Sequence, residues 1–117
     1  MRTIAIVEDD PSMLQSLSRL LIAHGFRVEP FLSAESFLKD AAHCEATCLL
    51  ADIHLGGISG IELQQQLMSS GKRLPVIFMT ANDSESTRRL GKEIGCIAYL
   101  KKPFLAKLLL DAIDGVT

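Results

Sequence analysis

The sequence predicts an α/β fold, a doubly wound five-stranded parallel sheet carrying five helices, and three observations point to it. Short apolar runs alternate five times with longer stretches whose apolar residues recur at helical spacing, the pattern of repeated βαβ units. The connections between them are short. Several of the runs end abruptly on polar residues, notably Thr47-Cys48-Leu49-Leu50-Ala51-Asp52, and in sheets of this kind ligands bind beyond the carboxyl ends of the strands.

The 117 residues fall in the range of one domain, taken as residues 1–117. Hydrophobic residues make up 48% and charged residues 22%, a globular balance. The net charge of −2 offers no polyanion-binding surface, so direct nucleic-acid contact by this segment is not expected. No apolar run reaches the ~20 residues of a membrane helix, and Met1-Arg2-Thr3 leads straight into a strand, so the expected location is cytoplasmic with no membrane contact. Cys44, Cys48 and Cys96 form an odd set without a CxxC pair, which predicts neither a disulfide framework nor a zinc site.

Thr3 to Val7 reads as strand 1. Asp10 then caps helix 1 with Pro11 at its first position, Met13, Leu14, Leu17, Leu20 and Leu21 form the inward stripe, and Gly25 stops it. Phe26 to Glu29 reads as a half-exposed strand at an edge position, because Pro30 could not continue a central ladder. Ser33 caps a short helix 2 bearing Phe37 and Leu38. After the Asp52 strand, Ser59-Gly60-Ile61-Glu62 is a capping box opening helix 3, which carries Ile61, Leu63, Leu67 and Met68 and closes at Gly71. Pro75 to Thr80 is a buried strand. Helix 4 spans Ser84 to Ile94 and is the weakest, because Gly91 costs about 1 kcal/mol relative to Ala and few apolar residues face inward. Cys96 to Leu100 is strand 5, and Phe104, Leu105, Leu108, Leu109, Ala112 and Ile113 give helix 5 a wide apolar face.

For a five-stranded doubly wound sheet the flavodoxin-like order 2-1-3-4-5 places the switch point between strands 1 and 3. Residues just past strands 1, 3, 4 and 5 then converge on one rim, namely Glu8, Asp9, Asp52, Thr80 and Lys101-Lys102. Crowded carboxylates repel unless a cation neutralises them, and Mg²⁺ suits an all-oxygen set needing only one or two direct carboxylates. With a hydroxyl at Thr80 and an ammonium at Lys102, the rim has the parts for phosphoryl transfer, with the central Asp52 as nucleophile.

Val7-Glu8-Asp9-Asp10, the stretch Ala51 to Gly60, Met79-Thr80-Ala81 and Tyr99-Leu100-Lys101-Lys102-Pro103-Phe104 together resemble the receiver domain of two-component response regulators, over essentially the whole chain and with matching separations. The resemblance implies that Asp52 accepts a phosphoryl group from a histidine kinase or phosphotransfer protein. It implies Mg²⁺, with Mn²⁺ as a substitute, held by Asp9, Asp52 and the backbone carbonyl of His54, Glu8 acting mainly through water. Lys102 would pair with the phosphoryl group, the Lys102-Pro103 bond would be cis, and Thr80 and Tyr99 would form the switch altering the helix 4, strand 5 and helix 5 face. An output domain or effector protein would read that face, and homodimerisation through it is compatible. Ser59-Gly60-Ile61-Glu62-Leu63 is similar to regulators whose receivers precede a helix-turn-helix domain, so a transcriptional output is expected.

Two departures from the family stand out. Gly56 occupies a usual proline position, which with Gly57 should loosen the loop after Asp52, and Gly91 and Cys96 replace typical alanines, again softening helix 4. Neither is expected to touch the chemistry. An Asp-dependent phosphatase would need a second acid two residues after the nucleophile, where this chain has His54. A flavin module would need a Ser/Thr/Gly-rich phosphate loop after strand 1, where Glu8-Asp9-Asp10 repels phosphate.

Overall fold

The computed structural model describes residues 2–72, 74–82 and 84–116. Five parallel strands, β1 (Thr3–Val7), β2 (Arg27–Phe31), β3 (Cys48–Asp52), β4 (Val76–Thr80) and β5 (Ala98–Lys101), form one sheet in the order β2-β1-β3-β4-β5. Between and after them run α1 (Pro11–Ala23), α2 (Ala34–Asp40), α3 (Gly60–Ser69), α4 (Glu85–Glu93) and α5 (Ala106–Val116). Both the class and the strand order are those expected.

Every residue of β1, β3 and β4 is buried, so these strands show no polar alternation, yet their side chains still divide by the two-residue period of a strand. Ala5, Val7, Leu49, Ala51, Val76 and Phe78 enter one core with Phe37 of α2 and Leu63 and Leu67 of α3. Ile4, Ile6, Leu50, Ile77 and Met79 enter the other with Leu14, Leu17 and Leu21 of α1 and Leu109 and Ile113 of α5. Helices on both faces thus sandwich the sheet and leave its carboxyl rim open.

The caps fall where they were read. Asp10 Oδ1 accepts from the Ser12 N–H at 3.0 Å, Ser33 Oγ from Ser36 N–H at 3.0 Å, and Ser59 Oγ from Glu62 N–H at 3.1 Å. The stop of α1 at Gly25, with φ +89°, also matches.

Several boundaries differ from expectation. β2 runs past Pro30 to Phe31 and starts at Arg27, not Phe26. The Arg27 N–H donates to the Arg2 carbonyl at 2.8 Å, and two-residue alternation then turns the Pro30 nitrogen away from β1 to the open edge, where a missing N–H costs nothing. β5 begins at Ala98 because Gly95, at φ +81°, and the Cys96 N–H on the Gly91 carbonyl at 3.1 Å belong to the end of α4. α5 begins at Ala106, and its broad apolar face is only half used: Leu109 and Ile113 are buried, while Leu108 and the preceding Leu105 are exposed. A short 3₁₀ turn at Ala41–His43 has no counterpart in the sequence reading.

Candidate functional site

β1, β3, β4 and β5 end within two residues of one another in register, which brings their terminal residues to one rim. Val7 is in register with Ala51, Asp52 with Met79, and Thr80 with Lys101. Glu8, Asp9 and Asp52 each offer a carboxylate oxygen within 4.8 Å of the others. Glu8 is 1% and Asp52 6% exposed, whereas Asp9 faces solvent.

Lys102 is the cation that holds two of these acids. Its Nζ donates to Asp52 Oδ2 at 2.7 Å and to Glu8 Oε1. Burial raises the Glu8 pKa above its ordinary value of 4.5, against the hydrogen bond from Lys102, which lowers it. Burial by itself would lower the Lys102 pKa, but its hydrogen bonds to Asp52 and Glu8 outweigh this and leave it above 10.5. The Lys102–Pro103 peptide bond is cis.

The loop after β3 is tied to the acids by backbone donors. His54 N–H donates to Asp52 Oδ1 at 2.8 Å, while the His54 side chain is exposed. Gly56 N–H donates to Asp9 Oδ2 at 3.2 Å. Gly60 N–H returns to the Ile53 carbonyl at 3.0 Å, closing the loop. A Cβ on Gly60 would lie 2.4 Å from the Asp52 carbonyl oxygen, so only glycine lets α3 start this close to the end of β3. Thr80 is fully buried, and its Oγ1 accepts from Asn82 N–H at 3.0 Å. Tyr99 is half-buried beside α4, where its ring and that of Phe78 each stand 3.6 Å from the place of a Gly91 Cβ.

Three features of this arrangement went unread in the sequence: the double engagement of Lys102, the steric need for glycine at position 60, and the bond from Gly56 to Asp9. Each depends on a close approach between distant segments. Gly60 alone left a trace, as a glycine at the start of a helix where better helix formers abound.

Residues 4–114 match the family of the response regulator receiver domain. This chain belongs to that family. Among curated relatives, the receiver is 34% identical over 110 residues to the response regulator protein TmoT of Ectopseudomonas mendocina, covering 94% of this chain and 50% of that one. It is 33% identical over 113 residues to the transcriptional regulatory protein TdiR of Thauera aromatica, covering 97% and 50%. The crystal structure of FixJ-N superposes with a TM-score of 0.91 at 28% identity, over 97% of this chain and 91% of that one. The receiver therefore spans about half the length of the curated relatives it matches. Among the described residues no helix is long and apolar enough to cross a membrane.

Proposed function

We propose that this receiver, over residues 1–117, is a phosphorylation-dependent switch in which Asp52 takes a phosphoryl group from the phosphohistidine of a histidine kinase or phosphotransfer protein. The observation that carries the reading is the convergence of three carboxylates within 4.8 Å at the rim, with Lys102 Nζ on the most central of them. An Asp52 oxygen forms the new O–P bond as the P–N bond to the donor imidazole breaks, and the imidazole keeps the electron pair and takes up a proton.

The donor set is all oxygen and clustered, which fits a hard divalent cation. Asp9, Asp52 and the His54 carbonyl would hold Mg²⁺, or Mn²⁺ in its place, with Glu8 acting through water, and the bound ion would offset charge on the phosphoryl oxygens. Lys102, already within hydrogen-bond reach of Asp52, swings from carboxylate to phosphoryl oxygen. Thr80 exchanges its bond from Asn82 for donation to the same group, and Tyr99 moves into the space left. The face of α4, β5 and α5 changes in consequence and is read by an output domain or effector, with homodimerisation through that face as one readout.

TdiR is named a transcriptional regulatory protein, and we extend a transcriptional output, with a cytoplasmic location, to the protein carrying this receiver. The test is incubation with Mg²⁺ and a small phosphodonor followed by intact mass. One phosphoryl group per chain is expected, none with Asp52→Asn and none in excess EDTA; equal gain by wild type and Asp52→Asn overturns the assignment.

A further inference from the structure

Gly56 stands at the border of the acid cluster. Its N–H reaches Asp9 Oδ2 at 3.2 Å across 47 residues of sequence. A carboxylate has two oxygens, and one hydrogen bond from the loop leaves the second for an ion. Asp9 is the exposed member of the cluster, so it is the one whose side chain has rotamers to lose when a cation binds.

The amide is not free to wander. Gly60 N–H on the Ile53 carbonyl at 3.0 Å closes the loop below it. On its other side Gly57 holds φ +90°, the left-handed turn that glycine permits. Gly56 itself has ordinary φ, and the nearest atom to a Cβ there is Asp9 Oδ2 at 3.8 Å. Nothing steric demands glycine at 56; what a proline at this position would remove is the donor.

We infer that the Gly56 backbone amide is a positioning group for the metal: it holds Asp9 in the orientation in which the free oxygen ligates, and so couples the loop after Asp52 to ion binding. This rests on the proposed Mg²⁺ site and deepens it. Hydrogen bonds that orient a ligating carboxylate govern affinity, and their removal costs about tenfold at the lower end of the usual range, the end suited to an exposed bond. Coupling is reciprocal, so the ion favours the amide bond by the factor by which the bond favours the ion.

Two measurements test it. Calorimetric titration with Mg²⁺ should show Gly56→Pro binding about tenfold more weakly than wild type, while Gly56→Ala, which keeps the N–H, stays within about twofold. Thermal unfolding checks that both variants are folded. In the wild type, saturating Mg²⁺ should slow solvent exchange of the Gly56 amide by a factor similar to the affinity ratio, read by NMR without any substitution. Equal affinities for wild type and Gly56→Pro overturn this inference and leave the metal reading intact. Faster amide exchange with Mg²⁺ also overturns it, since the ion would then compete with the bond. Failure of the wild type to bind Mg²⁺ removes the metal reading and this inference with it.

Discussion

At the scale of single residues the decisive side chain is Lys102, which bridges Glu8 and Asp52 and is itself largely buried. Removing one partner from a buried ionic group leaves the others uncompensated, a loss of about 3 kcal/mol, eased here because Glu8 can take up a proton. Lys102→Ala should therefore unfold at lower temperature than wild type in EDTA, and Mg²⁺ should restore more of its melting temperature than it adds to wild type, because the ion replaces the missing positive charge. An unchanged melting temperature in EDTA would deny Lys102 this role. The pH dependence has a definite sign. A lysine whose folded pKa lies above 10.5 contributes stability that is complete below that pH and is lost as pH rises through the higher folded value, so the gap between wild type and Lys102→Ala should close in that alkaline window. His54 makes a different case. Its backbone is tied to Asp52 while its ring faces solvent, so His54→Ala should leave phosphorylation of Asp52 possible and alter its rate of decay through water access. Identical decay of the phosphorylated wild type and variant would take the ring out of the mechanism.

At the scale of elements α4 is the part expected to yield. Among the described residues it buries only Thr87 and Gly91, with its ends capped by Ser84 and Ile94. A methyl group on Gly91 would meet Cys96 Sγ at 3.5 Å and the Phe78 and Tyr99 rings at 3.6 Å, ordinary contact distances. Gly91→Ala should then stabilise the domain by up to about 1 kcal/mol, or about 4 °C in melting temperature, and a lower melting temperature would show that the three neighbours cannot accommodate the methyl. The same methyl sits beside the ring whose movement is proposed to report phosphorylation. Tyr99 ring resonances should shift on adding a phosphoryl mimic with Mg²⁺, and an unchanged ring environment would remove Tyr99 from the switch. The sparse burial of α4 could be read from the sequence because it lies in composition: one glycine and few apolar residues. Its neighbours in space could not, and the same limit explains the other differences. Pro30 marked its strand as an edge, but the continuation to Phe31 could not be read, because sequence does not tell which way the proline nitrogen points. Leu105 and Leu108 looked like core because an apolar stripe does not say how much of it the sheet covers. On the rim, strand ends gave Glu8, Asp9, Asp52, Thr80 and Lys102 from topology alone, whereas the contact of Gly56 with Asp9 required the path of a loop.

At the scale of the whole molecule the proposed switch needs a frame that does not move and a region that does. β1, β3 and β4 are buried along their full length, and the two cores meet them from opposite faces. Such strands open only when everything opens, at a cost in the usual range of about 5–15 kcal/mol for a domain. α4 and the half-exposed β5 have fewer buried groups to lose and should open locally at a cost several kcal/mol lower, a separation of roughly 10³-fold in amide exchange for about 4 kcal/mol. Native-state hydrogen exchange should accordingly show β1, β3 and β4 amides sharing one slow, global free energy and α4 amides exchanging well ahead of them. Mg²⁺ with a phosphoryl mimic should raise protection in α4 and β5 more than ligand binding raises the global value, because a ligand shifts an equilibrium only by its preference for one of the two states. If α4 is protected as strongly as β3 before any ligand is added, the receiver has no soft element of this kind, and the signal must leave Asp52 through another surface.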